Sequence, residues 1–522
     1  MILSLEEKIG QMLVVGFEGL EPPDYILDWL ADGRIGGVIL FARNVASPAQ
    51  VVTLTQACHA VAARPILIAI DQEGGVVARL RDGFTESPGA MALGVADSEE
   101  LAENVSAVLG TEMRALGINW NLAPALDLTH NIHNPSVGVR SLGIDPQRVA
   151  RLGVAQVRGF QKAGVAATAK HFPGKADTPV DPHVSLPVIE GPLDDLWNTD
   201  LVPFRAASEA GIAAMMITHV QFKALEPQYP STLSPRIIEG LLRDDIGFGG
   251  VISTDCMEMK AVTNAYGPGE SAVLAALAGA STILFSHTRA YQEAAYDALI
   301  EAARSGRLPE AKIDQAVGKV TAMKERFAIT RMPPTRSVIR HPDHLAITGR
   351  AARAGMVVMG DAQTVIPVNA AGVQAVGLVE FASFLDSEAL ESGGHTGFAT
   401  LLAESLPTLR SVALDPVRPS EGKLAQAQAL AADSDVLIVA TRNAHLYPKQ
   451  RDVAQDLIRR GRRTILLCLR NPYDAGVLSG MDATLFTCGD STPSLRAAVD
   501  ALLGHFTPAG RLPVPLVMPG RE

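Results

Sequence analysis

Only four cysteines occur in 522 residues, Cys58, Cys256, Cys468 and Cys488, and no two of them form a CxxC pair. That excludes a disulfide framework and a cysteine-built zinc site, and it suits a reducing compartment. Basic blocks are missing as well: 45 Lys and Arg stand against 56 Asp and Glu, a net charge of −11, with no Lys/Arg-rich run to neutralise phosphates. Nucleic acid is therefore not an expected partner. No apolar stretch reaches the ~18 residues needed to cross a bilayer. The start, Met1 to Lys8, enters an amphipathic helical pattern without the features of a secretory signal. These absences predict a cytoplasmic protein with no membrane partner. At 47% hydrophobic and 19% charged residues the chain is too apolar for disorder.

Residues 1–330 alternate short apolar runs with longer helical patterns. The runs, read as buried strands, are Met12–Phe17, Gly37–Phe41, Ile66–Asp71, Trp120–Leu122, Val165–Ala169, Ala213–Thr218, Gly250–Asp255 and Thr282–Phe285. Segments such as Ser98–Leu116, Asp145–Lys162 and Pro235–Asp244 carry apolar residues at i, i+3 and i+4 between them. Eight strands separated by helices predict an α/β fold of (β/α)8 TIM type, with a doubly wound open sheet as the rival. Several runs end in a polar or titratable residue: Asp71, Lys170 and His171, His219, Asp255, and His287 after Ser286. In such a barrel the C-terminal strand ends carry the active site, whereas a single strand-end polar residue is more often a helix cap. Residues 331–345, with Met332-Pro333-Pro334, read as a linker. A second α/β sandwich domain is expected over 346–522, with strands at Gly355–Met359, Val373–Leu378, Val436–Ala440, Thr464–Leu469 and Ala483–Phe486, arranged in parallel.

The stretch Lys170 to His183 holds two His, two Asp, two Lys, three Pro and one Gly in fourteen residues, a loop that is ordered but not helical. Asp181 and His183 are spaced i, i+2, so in an extended segment both point the same way, and Pro182 favours that geometry. A carboxylate beside an imidazole fixes its tautomer and makes a competent general acid/base. Solvation alone is the bland reading of such a loop. A metal site built from His171, Asp177, Asp181 and His183 is disfavoured by the neighbouring Lys170 and Lys175, so no metal or cofactor is expected. Asp255 ends an apolar strand, where it is either a helix cap or a carboxylate placed to attack an anomeric carbon. Asp71-Gln72-Glu73-Gly74-Gly75, followed by Arg79, is either a tight βα turn or a grip on sugar hydroxyls.

Taken in order, Asp71-x-Glu73-Gly74-Gly75, Ala123-Pro124-x-x-Asp127, Lys170-His171-Phe172-Pro173-Gly174, Asp181-x-His183 and Thr254-Asp255 resemble glycoside hydrolase family 3, in its β-N-acetylglucosaminidase branch. The resemblance spans the first domain, and the layout matches longer members with a C-terminal α/β domain. It implies Asp255 as nucleophile, His183 as general acid/base and Asp181 as its orienting partner. It also implies Asp71, Arg79, Arg140, Lys170 and His171 as sugar-binding residues, with His219 at another strand end. The implied substrate is a small carbohydrate, a terminal N-acetylglucosamine on cell-wall or chitin fragments. Oligomeric state is left open.

Two departures stand out: Lys175-Ala176 replaces the usual His-Gly after Pro-Gly, and Pro182 replaces Ser or Thr between the dyad members. Neither removes a reactive group. Three alternatives remain at this level. A neutral imidazole does not repel phosphate, so phosphorolysis is one. A β-glucosidase drawing its acid from the second domain, with Glu391 as that acid, is another. A sugar-binding module without catalysis is the third, although it would be expected to have lost the nucleophile or the dyad.

Overall fold

The computed structural model describes residues 3–175, 185–327, 336–383 and 397–516. Eight of its strands form a closed barrel: β1 (Leu13–Val15), β2 (Gly37–Leu40), β3 (Leu67–Ile70), β4 (Trp120–Asn121), β5 (Ala166–Phe172), β6 (Ala214–Ile217), β7 (Val251–Cys256) and β8 (Thr282–Phe285). All neighbours are parallel and β1 closes on β8, giving the (β/α)8 barrel expected from the apolar runs. Each strand is buried on both faces, which is why the runs lack polar alternation.

Alternate residues serve two cores. Val14, Ile39, Ala69, Trp120, Met216, Val251 and Leu284 fill the barrel interior. Leu13, Val15, Val38, Leu40, Ile68 and Ile70 face the helical ring. Trp120 is accommodated inside because its indole N–H donates to Thr168 Oγ1 at 2.7 Å. At the N-terminal end the helix Glu310–Arg326 closes the barrel with Val320 and Met323. Lys324 of that helix donates to Gln11 Oε1 at 2.7 Å and to the Gly36 and Pro65 carbonyls at 3.2 and 2.7 Å. These bonds tie the closing helix to the N-terminal ends of the first three strands.

The helix Pro342–Ala354 begins inside the stretch read as linker. Glu112 of the barrel fastens this approach, accepting from the Arg340 amide at 2.9 Å and from His344 Nδ1 at 2.8 Å. The second sheet contains β9 (Val357–Gly360), β10 (Val376–Phe381), β11 (Arg410–Leu414), β12 (Val436–Thr441), β13 (Thr464–Cys468) and β14 (Ala483–Phe486), in the order β9-β14-β13-β12-β10-β11. Apolar clusters cover both faces, so the sandwich reading holds. Two details differ from the expectation. β9 runs antiparallel to β14 rather than parallel. β11 has no counterpart among the apolar runs, because it is an edge strand with Arg410, Ser411 and Ala413 exposed.

Candidate active site

Asp71, Arg79, Arg140, Lys170, His171 and Asp255 line a single cavity of about 250 Å3 at the C-terminal mouth of the barrel. A regular strand sends successive side chains to opposite faces. Yet Lys170 and His171 both face the cavity, as do Asp255 and Cys256. Register shifts explain this: pairing slips between Ala169 and Phe172 on β5, and between the Ser253 and Cys256 partners on β7. Irregularities of this kind re-aim side chains at barrel rims.

The turn after β3 supplies one wall. Gln72 flattens it, accepting from the Arg79 and Leu80 amides at 2.8 and 3.0 Å, while Asn121 brackets the Gln72 backbone at 3.0 Å on both sides. Gly75 is required here: its φ is +62°, and a Cβ would lie 2.7 Å from the Gly89 Cα. The tight turn therefore carries Asp71 and Glu73 to the wall of the cavity. Lys170 Nζ lies 2.6 Å from Asp71 Oδ1 and 2.6 Å from Glu73 Oε1. Arg140 forks onto Glu73, with Nε and Nη2 at 2.9 and 2.8 Å, and Nη1 donates to the Ser136 carbonyl at 2.5 Å. Arg79 Nη2 stands 3.7 Å from the second Asp71 oxygen.

Burial works against the charges of Glu73, Arg140 and Lys170, but the pairs prevail. Burial raises the Glu73 carboxyl, and Arg140 and Lys170 outweigh it to hold the group below the usual carboxylate range. Burial depresses Lys170 and Arg140, and their carboxylate partners reverse the sign and raise both. The result is a fixed row of alternating acceptors and donors along one wall of the cavity.

His171 belongs to a second array. Its Nδ1 donates to Asp127 Oδ2 at 2.7 Å, and Lys175 Nζ donates to its Nε2 at 3.2 Å. Burial first, and then the Lys175 cation, push the ring well below its ordinary pKa, so it is neutral with a fixed tautomer. Burial raises the Asp127 carboxyl, partly offset by Lys175 and Arg140. Asp255 stands across the barrel from β3, and its Oδ1 accepts the Cys256 amide at 2.8 Å. The Cys256 thiol beside it is pushed up to about 12 by burial, so it is no nucleophile at neutral pH.

His219 lies elsewhere. It is fully buried and absent from the cavity lining; its Nε2 donates to the Cys256 carbonyl at 2.9 Å and its Nδ1 meets Thr232 Oγ1 at 2.6 Å. It braces the strand carrying Asp255 from behind. Asp181, His183 and Glu391 lie outside the described residues. Among the described residues no group of three or more His, Cys, Asp or Glu side chains is arranged to hold a metal ion. Sequence reasoning left out Glu73, Asp127 and Lys175 as site residues. Each had a signal: Glu73 shares the parity of Asp71, Asp127 sits in the Ala123-Pro124 motif, and Lys175 follows His171 by four residues.

The family model of the glycosyl hydrolase family 3 N-terminal domain matches residues 4–323, the whole barrel that builds this cavity. The chain belongs to glycoside hydrolase family 3. A β-hexosaminidase of Stenotrophomonas maltophilia is 39% identical over 289 residues, 54% of this chain and 85% of its own length. β-Hexosaminidase A of Pseudoalteromonas piscicida is 30% identical over 401 residues, covering 68% of this chain and 67% of its own. The solved structure of a family 3 β-N-acetylglucosaminidase from Paenibacillus sp. strain FPU-7 is similar along 99% of both chains, with 37% identity and a TM-score of 0.92. The family 3 protein is thus a glycosidase whose second domain is shared with that relative.

Proposed function

We propose that this family 3 glycosidase is a retaining exo-β-N-acetylglucosaminidase that removes terminal non-reducing N-acetylglucosamine from cell-wall or chitin-derived fragments. The observation that carries the reading is the placement of Asp255 across the cavity from the Asp71–Lys170–Glu73–Arg140 row. A pyranose gripped through its hydroxyls by that row presents its anomeric carbon to the Asp255 carboxylate. Similarity to the β-hexosaminidases and to the Paenibacillus β-N-acetylglucosaminidase supports the choice of sugar.

In this mechanism Asp255 attacks the anomeric carbon while protonated His183 donates to the departing oxygen. Water, activated by the now neutral His183, then displaces Asp255 and releases the sugar with its original configuration. Asp181 orients His183 throughout. The neutral His171 and its Asp127 and Lys175 partners hold the sugar without adding a titrating group.

The test is a set of aryl β-glycosides differing only at C2, assayed with and without phosphate. Fastest turnover on the N-acetylglucosaminide, with the β-anomer of free N-acetylglucosamine appearing first, is expected. Accumulation of a glycosyl phosphate would reassign the protein as a phosphorylase. A preference for the glucoside would make it a β-glucosidase, and no turnover of any member would leave a binding module.

A further inference from the structure

The second domain meets the barrel at several places, among them the loop behind the sugar site, which it touches at Thr129, Ile132, Gly138 and Ile144. It runs from β4 to the helix Pro146–Lys162 and carries Asp127, Asn134 and Arg140 on its inner side. Asn134 is its hub. Nδ2 of Asn134 donates to the Lys175 carbonyl at 3.1 Å, and its Oδ1 accepts the Ser136 and Val137 amides at 2.9 Å. Ser136 in turn receives Arg140 Nη1, so the placement of Arg140 and Lys175 depends on the shape of this loop.

On its outer side the loop has little secondary structure of its own beyond the short turn Gly138–Arg140. Its support comes from the other domain. His445 Nε2 faces the Ile132 carbonyl at 3.1 Å, across 313 residues of sequence, and the ring donates both there and to Asp474 when it carries both of its protons. The ring is held for this purpose: Asp474, wholly buried, accepts both His445 Nδ1 at 2.8 Å and the His445 amide at 3.0 Å. Tyr473 stands edge-on to the same ring at 5.4 Å and brings its hydroxyl 3.3 Å from Thr129 Oγ1. Asn471 packs on Gly138, where a Cβ would fall 2.5 Å from its Oδ1.

We propose that His445, held by Asp474, is a positioning residue for the catalytic cavity: from the second domain it fixes the barrel loop that places Arg140 and supports Lys175. The proposal rests on reading the cavity as the sugar site. A backbone carbonyl is a suitable anchor because it moves with the loop rather than with one rotamer, and the buried carboxylate behind the ring prevents the imidazole from turning away. The second domain then acts on the reaction without touching the sugar.

The experiment compares full-length wild type, His445→Leu and His445→Gln. Leucine keeps bulk but loses the bond to Ile132, whereas the glutamine amide can still donate to that carbonyl. His445→Leu should speed hydrogen–deuterium exchange in residues 129–144 while leaving the barrel strands protected. Its kcat/KM on an aryl N-acetylglucosaminide should fall about tenfold, mainly through KM, the size of one lost hydrogen bond. His445→Gln should restore both readouts. Unchanged exchange in that loop, or equal damage in both variants with a shared fall in melting temperature, overturns the proposal. Asp255→Ala, run beside them, separates the two ideas: if it turns over like wild type, the functional reading fails, and the exchange data still decide the role of His445.

Discussion

Lys175 directs its ammonium at His171, with Nζ 3.2 Å from Nε2, while the far nitrogen of the same ring is bound to Asp127 at 2.7 Å. A cation donating to an imidazole requires that nitrogen to be unprotonated. The fold thereby keeps a neutral histidine next to a buried lysine, and this has a measurable consequence.

The pKa of His171 lies well below its ordinary value of 6.5 in the folded protein, so on acidification the unfolded chain takes up this proton first. Stability from the ring is complete above that value and falls as pH drops beneath it, by up to about 1.4 kcal/mol per pH unit. Urea unfolding near neutrality and again about two pH units lower reads the loss. Lys175→Met, which removes one cause of the depression, should lose less stability on acidification than wild type. An equal loss in both would show that burial alone sets the shift.

Glu73 neutralises two buried cations, Arg140 and Lys170. Glu73→Gln keeps the shape but removes the carboxylate paired with Arg140 and leaves Lys170 with Asp71 alone, so unfolding free energy should fall by about 3–5 kcal/mol. Asp71→Asn, at a partly exposed position, should cost less stability and act mainly by raising KM. Chemical denaturation and steady-state kinetics on the two variants check the ordering.

For the reacting groups, Asp255→Ala should abolish most turnover, and His183→Ala should reduce it by about 10²–10⁴-fold. Asp181→Ala should lose less. The His183→Ala defect should shrink on aryl substrates whose leaving group departs without a proton. Wild-type rates in both of the first two variants would end the assignment.

Gly75→Ala places a side chain at φ +62°, against the Gly89 backbone. A left-handed conformation alone costs about 1–2 kcal/mol for an L-residue, and the overlap adds to it. Melting temperature should fall and KM should rise together, because the same turn holds Asp71 and Glu73.

Much of this was readable along the chain. The eight apolar runs and the strand-end residues Asp71, Lys170, His171 and Asp255 mark a barrel and its functional rim, since burial and strand period are written locally. Edge strand Arg410–Leu414 was not readable, because one paired side and an exposed face leave no apolar run. His219 shows the limit of reading strand ends as sites. It ends its strand like the others, yet its ring turns to the Cys256 carbonyl and braces the Asp255 strand from behind.

Sequence alone determined the kind of fold, the absence of a cysteine framework, and which titratable side chains stand at strand ends. These follow from composition and short-range periodicity, which any part of the chain expresses by itself. Tertiary structure decided which of those side chains share a cavity. The Glu73–Arg140 fork joins residues 67 apart and the His445–Ile132 bond joins residues 313 apart. Such contacts exist only once the barrel closes and the second domain docks. The register shifts on β5 and β7, which turn neighbouring residues to one side, are likewise a property of strand pairing rather than of either strand.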